Sequence, residues 1–188
     1  GTEVEGVQIQ DTVILDGTKL VLNGAGFHKR GFIKSNVQAV YVMERRQTLE
    51  GLTKLGGPKR IHIHVLKDIS GATISRYFLT DFKLTASEVE FKQLINEVSQ
   101  IGNVYGALPK VIKGDVITID WVPGKGIQAT LNTKPMAFSY NNVYLDTPNA
   151  ELMYKVFLRM YVGTAVPEEL RLNQLGLSQS MNSAATER

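Results

Sequence analysis

The sequence predicts a fold of the α+β class, because strand patterns and helical patterns occupy separate stretches of the chain. Strand patterns dominate residues 12–66, with one short helical pattern among them. Two helical patterns follow in residues 71–101, and a second strand pair precedes a closing helix. One antiparallel sheet with helices against one face satisfies this order. The 188 residues contain no internal repeat and no dividing linker. We therefore expect a single domain over residues 1–177, followed by a polar, disordered tail over residues 178–188.

The predicted strands rest on turn chemistry and on alternation. Asp16-Gly17 joins two apolar runs in residues 12–22, and this dipeptide suits a type I′ hairpin turn. Residues 32–43 are apolar on both faces, which favours a central strand. Residues 60–66 alternate strictly, with His62 and His64 on the face opposite Ile61. Residues 115–122 and 127–131 predict a second hairpin.

The predicted helices rest on caps and on apolar spacing. Ser70 is a candidate N-cap for a helix over residues 71–82, and Ser87 with Glu90 forms a capping-box pattern for a helix that ends at Gly102. Shorter helices are predicted over residues 48–55 and 167–175. Thr147-Pro148 predicts the start of a further helix, which Gly163 closes.

Composition excludes several classes of function. The net charge of +3 is small and dispersed, so it does not indicate nucleic-acid binding. The absence of cysteine excludes disulfides and thiolate sites. No apolar run reaches the ~18 residues of a membrane-spanning helix. The chain starts at Gly1 without an initiator methionine, so we expect a removed signal peptide and a periplasmic or secreted protein, or otherwise a cytoplasmic one.

The motifs that could carry chemistry are weak. Gly24-Ala25-Gly26 lies between strands and lacks the features of a phosphate loop, so a bulge or a close backbone approach between strands is the better interpretation. His62 and His64 could face one metal ion, but no third ligand is indicated and no metal site is predicted. No catalytic triad and no cofactor motif is found. Aromatic side chains could wall a small-molecule pocket, with Lys29, Arg30, Asn36 and Tyr41 as its polar groups, or they could form an ordinary core.

Several stretches resemble the chalcone isomerase-like family. They are LNGAGFHKRGFIK at residues 22–34 with AVYV at 39–42, PKRIHIHVLKDIS at 58–70, KGDVITIDWVPGKG at 113–126 and the helix over 149–163. The resemblance covers residues 4–176 and is nearest to the bacterial branch, whose members often begin with a signal peptide. It implies an open-faced β-sandwich, in which a large antiparallel sheet is covered by a layer of helices and the ligand cleft lies between them.

The family includes plant enzymes that cyclise chalcones to flavanones and non-catalytic members that bind fatty acids. The arginine that both groups share falls at His28 here, and Arg30 is predicted on the same strand face. The enzymes' threonine falls at Asn36, and the tyrosine of the fatty-acid binders matches Tyr41. The enzymes' helix tyrosine and asparagine fall near Ile74 and Asp81.

Most of the isomerase residues are therefore replaced, which favours a binding protein over an enzyme. We expect a fatty acid or similar amphipathic molecule, bound by His28, Arg30, Asn36, Tyr41 and Tyr77, with no cofactor. One alternative is an intramolecular lyase or isomerase on another substrate, with His28 as an acid–base group. Another is an interaction module without a pocket. The sequence leaves the oligomeric state open.

Overall fold

A computed structural model describes residues 1–137 and 149–177, which form strands and helices in the predicted α+β order. The strands are β1 (Thr2–Val4), β2 (Val7–Ile9), β3 (Thr12–Leu15), β4 (Thr18–Arg30), β5 (Ile33–Val42), β6 (Lys59–Val65), β7 (Ile69–Ser70), β8 (Lys110–Val111), β9 (Val116–Val122), β10 (Gly126–Leu131) and β11 (Lys134–Pro135). The helices are α1 (Leu49–Lys54), α2 (Gly71–Thr85), α3 (Glu88–Gln93), α4 (Ile95–Ala107), α5 (Asn149–Val162) and α6 (Glu168–Gln174).

Within the described ranges, seven strands form one antiparallel sheet in the order β11-β10-β9-β6-β5-β4-β3. The Asp16-Gly17 turn joins β3 to β4, and both residues have positive φ, as a type I′ turn requires. β5 lies in the interior of the sheet between β4 and β6, as its two-sided apolarity predicts. β1 and β2 form a separate hairpin that the sequence patterns did not indicate.

One face of the sheet is covered by helices, which confirms the predicted architecture. Apolar side chains of β6, β9 and β10 pack there against α2, α4 and α5, and Phe82 and Phe157 are fully buried at this contact. The predicted caps at Ser70 and Ser87 are both formed. The long helix predicted behind Ser87 is divided at Leu94 into α3 and α4, and α4 continues past Gly102 to Ala107.

The opposite face of the sheet holds a second apolar cluster, packed partly against β1 and β2. It also holds a cross-strand ion pair, in which the guanidinium of Arg60 on β6 donates to both carboxylate oxygens of Asp120 on β9 at 2.9 Å. The Asp120 side chain is 1% exposed and that of Arg60 is 20% exposed. This face therefore contains a buried charge with one partner in a bidentate geometry.

The Gly24-Ala25-Gly26 segment lies within β4, and α6 packs against it. A bulge separates Leu22 from Gly24 in the pairing with β5, as the sequence predicted. The close approach is made by a helix rather than by another strand. A Cβ atom on Gly24 would lie 2.2 Å from the backbone oxygen of Asn173. Asn23 fixes this contact, because its side-chain amide donates to the backbone oxygen of Gln174 at 2.7 Å.

Two predictions fall outside the described residues: the helix start at Thr147-Pro148 and the tail over residues 178–188. In the described ranges, α5 begins at Asn149 and ends at Val162, next to the predicted stop at Gly163. No helix in the same ranges is long and apolar enough to cross a membrane.

Candidate functional site: a cavity between sheet and helices

A cavity of about 90 Å³ lies between the sheet and the helical layer. Its wall is formed by β4, β5, β6 and β9 on one side and by α2, α4 and α5 on the other. Apolar side chains form most of this wall, including Ile63, Val65, Ile74, Phe78, Ile117 and Met160. The hydroxyl-bearing rings of Tyr77, Tyr105 and Tyr161 also contact it. The site therefore has the mostly apolar lining, with a few polar groups, that is typical of small-molecule pockets.

The polar groups lie together at the strand wall of the cavity. His28 and Asn36 are cross-strand partners on β4 and β5, and Gln38 follows Asn36 by two positions, so that both project from the same face. Arg30 lines the cavity too, although a bulge separates His28 from Lys29. The predicted shared face of His28 and Arg30 is thus present despite the irregular register.

Arg30 is held by two contacts with α2. Its guanidinium donates to the carboxylate of Asp81 at 3.1 Å and stacks over the ring of Tyr77, with 4.0 Å between Cζ and the ring centroid. The side chains of Arg30 and Asp81 are 28% and 19% exposed. The positive charge of Arg30 therefore has a negative partner at the cavity wall, and little net charge is left to attract an anion.

His28 is buried and neutral. Burial, and to a smaller extent the positive charge of Arg30, lower the pKa of His28 from 6.5 to about 4. The side-chain amide of Gln38 lies 3.1 Å from His28 Nδ1 and donates to it in the neutral ring. An imidazole with this pKa is a weak base at neutral pH, which does not favour the acid–base role considered from the sequence.

The low pKa of His28 predicts a pH-dependent stability. The unfolded chain binds a proton on this residue below pH 6.5, whereas the native state does so only near pH 4, so native stability falls as the pH falls through this window. His28 is expected to lower the free energy of unfolding by about 2 kcal/mol between pH 8 and pH 5. Denaturant titrations across this pH range should show that His28→Gln loses less stability on acidification than the unmodified protein does. An equally steep loss in the variant would contradict the buried, neutral imidazole.

The structure separates Tyr41 from the other four predicted residues. His28, Arg30, Asn36 and Tyr77 line the cavity, but Tyr41 lies on the opposite face of β5 within the second apolar cluster. Its hydroxyl donates to the backbone oxygen of Gln10 at 2.8 Å, and burial raises its pKa to about 12. Tyr41 shares this cluster with Val37 and Ala39 on the same strand, so its side chain points away from the cavity that Asn36 and Gln38 line.

Gln38, Tyr105 and Tyr161 line the cavity but were not among the predicted residues. Strand parity from Asn36 could have identified Gln38, since residues two apart share a face. The two tyrosines come from α4 and α5, and no local pattern in the sequence brings these helices together. The residues near which the family's helix positions fall, Ile74 and Asp81, both contact the cavity.

The histidines of β6 do not contribute to this cavity. His62 lies on the face of the sheet that holds Tyr41, with their ring centroids 6.4 Å apart in an edge-on arrangement. Burial lowers the pKa of His62 to about 4. Among residues 1–137 and 149–177, no group of three or more His, Cys, Asp or Glu side chains could hold a metal ion.

A family model described as chalcone isomerase-like matches residues 1–176. The chain belongs to this family. A crystal structure of a fatty-acid binding protein from Arabidopsis thaliana is similar to it, with a TM-score of 0.60 and 12% sequence identity over 93% of this chain and 98% of that chain. At this identity the similarity shows the shared fold alone. A search of curated protein sequences gives no match.

Proposed function

We propose that this member of the chalcone isomerase-like family is a non-catalytic protein that binds a fatty acid or similar amphipathic small molecule. The observation that carries the proposal is the cavity between sheet and helices, which joins an apolar wall to a polar group of side chains. The similar plant protein is a fatty-acid binding protein, which supports this class of ligand. A cavity at this place does not favour the alternative of a pocketless interaction module.

The proposed ligand has its polar end beside His28 and Asn36 and its apolar part among Ile63, Phe78 and Ile117. The cavity of about 90 Å³ is smaller than the ~150 Å³ that holds a benzene ring, so it has room for on the order of three to four carbon atoms. A longer chain requires side chains at the cavity mouth to move apart.

The first test is calorimetric titration with fatty acids from hexanoic to hexadecanoic acid. Affinity is expected to rise with chain length by about 0.8 kcal/mol per buried methylene and to level off once the cavity is full. Lipid extraction and mass spectrometry of the purified protein is the complementary measurement. If no acid in the series binds and the purified protein carries no amphipathic molecule, the proposal is wrong.

A variant that fills the cavity tests where the ligand binds. Ile74 lines the cavity from α2 and is partly buried, so Ile74→Trp places an indole where the apolar chain is expected. This change should weaken binding by about tenfold or more, because the methylenes it displaces are each worth about 0.8 kcal/mol. Val89→Trp is the matched control, since Val89 is 73% exposed on α3. Equal affinities in the two variants would place the ligand elsewhere.

A further inference from the structure

Two hydrogen-bonding side chains at the cavity wall have an oxygen without a partner. In the part of the chain that the structure describes, Asn36 Oδ1 and Gln38 Oε1 are buried and accept no hydrogen bond. Gln38 is 1% exposed, so bulk water does not serve its oxygen. A buried polar group without a partner costs free energy, and native proteins leave few of them. Asn36 and Gln38 both line the cavity, so a bound group that donates a hydrogen bond can satisfy these oxygens once an amide rotates toward it.

The same wall offers a donor. His28 Nδ1 accepts from the Gln38 amide, so the neutral ring carries its proton on Nε2. His28 Nε2 has no hydrogen bond to any described residue. Beside the Arg30 guanidinium, which also lines the cavity, His28, Asn36 and Gln38 therefore combine one unused donor with two unused acceptors. If the oxygen and nitrogen of the Gln38 amide exchanged places, Gln38 would accept from His28 and offer a donor to the cavity. A bound group would still need both to donate and to accept a hydrogen bond.

The charges around this end do not select an anion. Arg30 is the cation at the cavity wall, and Asp81 pairs with it at 3.1 Å. A carboxylate placed here would accept from Arg30, but it would also face the Asp81 carboxylate, and it has no hydrogen to donate to the two amide oxygens. A hydroxyl group donates one hydrogen bond and accepts others, so it matches both halves of the site.

We propose that the cavity selects a neutral amphipathic molecule whose polar end is a hydroxyl group, which donates to Gln38 or Asn36 and accepts from His28. This inference rests on the proposed binding function and specifies its ligand class. The hydroxyl belongs to an alcohol or to a protonated acid, and both offer the same donor. A fatty acid is bound in its protonated form, so its carboxylate competes poorly at neutral pH.

Three ligands with eight carbon atoms and different polar groups distinguish a hydroxyl from an ether and from a carboxylate as the preferred group. They are titrated into the unmodified protein. They are 1-octanol, its isomer 1-methoxyheptane, which accepts but cannot donate, and octanoate at pH 7.5. Calorimetric titration should give the tightest binding for 1-octanol. The ether and the carboxylate should each bind about tenfold more weakly or worse, because each leaves buried acceptors unsatisfied.

Substitutions of the two amide residues then test which side chains determine the preference for a hydroxyl group. Gln38→Met and Asn36→Leu keep side-chain size and remove the acceptor, so each should reduce the preference for 1-octanol over 1-methoxyheptane. Asn103→Leu, at an exposed position on α4, should leave that preference unchanged. Equal binding of the alcohol and the ether, or tighter binding of octanoate, overturns the inference while the binding function stands. If none of the three ligands binds and the longer fatty acids also fail, both proposals are wrong.

Discussion

Replacing Arg60 with methionine is expected to lower the free energy of unfolding by about 3–5 kcal/mol at pH 7. The change removes the partner of Asp120, whose side chain is 1% exposed. Burial raises the pKa of the Asp120 carboxyl, and the Arg60 guanidinium opposes that rise. Without the guanidinium, the native state must either bury an unpaired charge or bind a proton, and both cost free energy at neutral pH. Urea denaturation at pH 7 measures the loss.

The pH dependence of Arg60→Met provides an internal check. A raised native pKa means that native Asp120 keeps a proton which the unfolded chain releases near its ordinary pKa. The stability of the variant therefore decreases as the pH rises from 4 to 7, and its deficit should be smaller at pH 5 than at pH 7. The double variant Arg60→Met, Asp120→Leu removes both charges and should recover most of the loss. A double variant no more stable than Arg60→Met would show that the unpaired carboxylate is not the cause.

Replacing Gly24 with alanine is expected to lower the free energy of unfolding by about 1–3 kcal/mol or more. The added Cβ would lie 2.2 Å from the backbone oxygen of Asn173 and 2.6 Å from that of Gln174. Backbone atoms at the end of α6 cannot rotate away as a side chain can, so the helix must shift from β4. Urea denaturation measures the stability, and hydrogen exchange should show faster exchange of the α6 amides.

Gly26→Ala is the matched control on the same strand. Its Cβ would contact the Leu170 and Asn173 side chains at 3.0 and 3.1 Å, and these can shift by a few tenths of an ångström. The loss should therefore be clearly smaller than for Gly24→Ala. If both substitutions cost the same, the close backbone contact at Gly24 does not determine the effect.

The sequence predicted those parts of the fold that depend on neighbouring residues. The Asp16-Gly17 turn, the Ser70 and Ser87 caps and the alternation of β6 are properties of a few consecutive residues, and the structure contains all of them. The division of one predicted helix at Leu94 was missed, because the apolar spacing continues across it. The β1–β2 hairpin was missed as well, since three-residue strands leave almost no periodicity to detect.

The candidate site was predictable only as far as strand parity extends. Alternation placed His28 and Arg30 on one strand face, the family resemblance added Asn36, and the structure brings all three to one cavity. Tyr41 was matched by its position in the family's motif, but its parity on β5 puts it on the other face. The pairing of Arg30 with Asp81 joins residues that are 51 positions apart, and no local pattern indicates it. Yet this pairing places a negative charge beside the positive charge of Arg30 at the cavity wall.

The contact of Asn23 with Gln174 has a consequence for synthesis, because 151 positions separate the two residues. The strand that presents His28 is made early, but the helix that packs on Gly24 is made near the end of the described chain. Contacts between residues so far apart in sequence form late and slow the folding of a chain. During translation, the His28 strand therefore leaves the ribosome long before its covering helix does. In a partly synthesised chain, the surface of β4 around Gly24 stays exposed to other molecules until α6 has been made and packs on it.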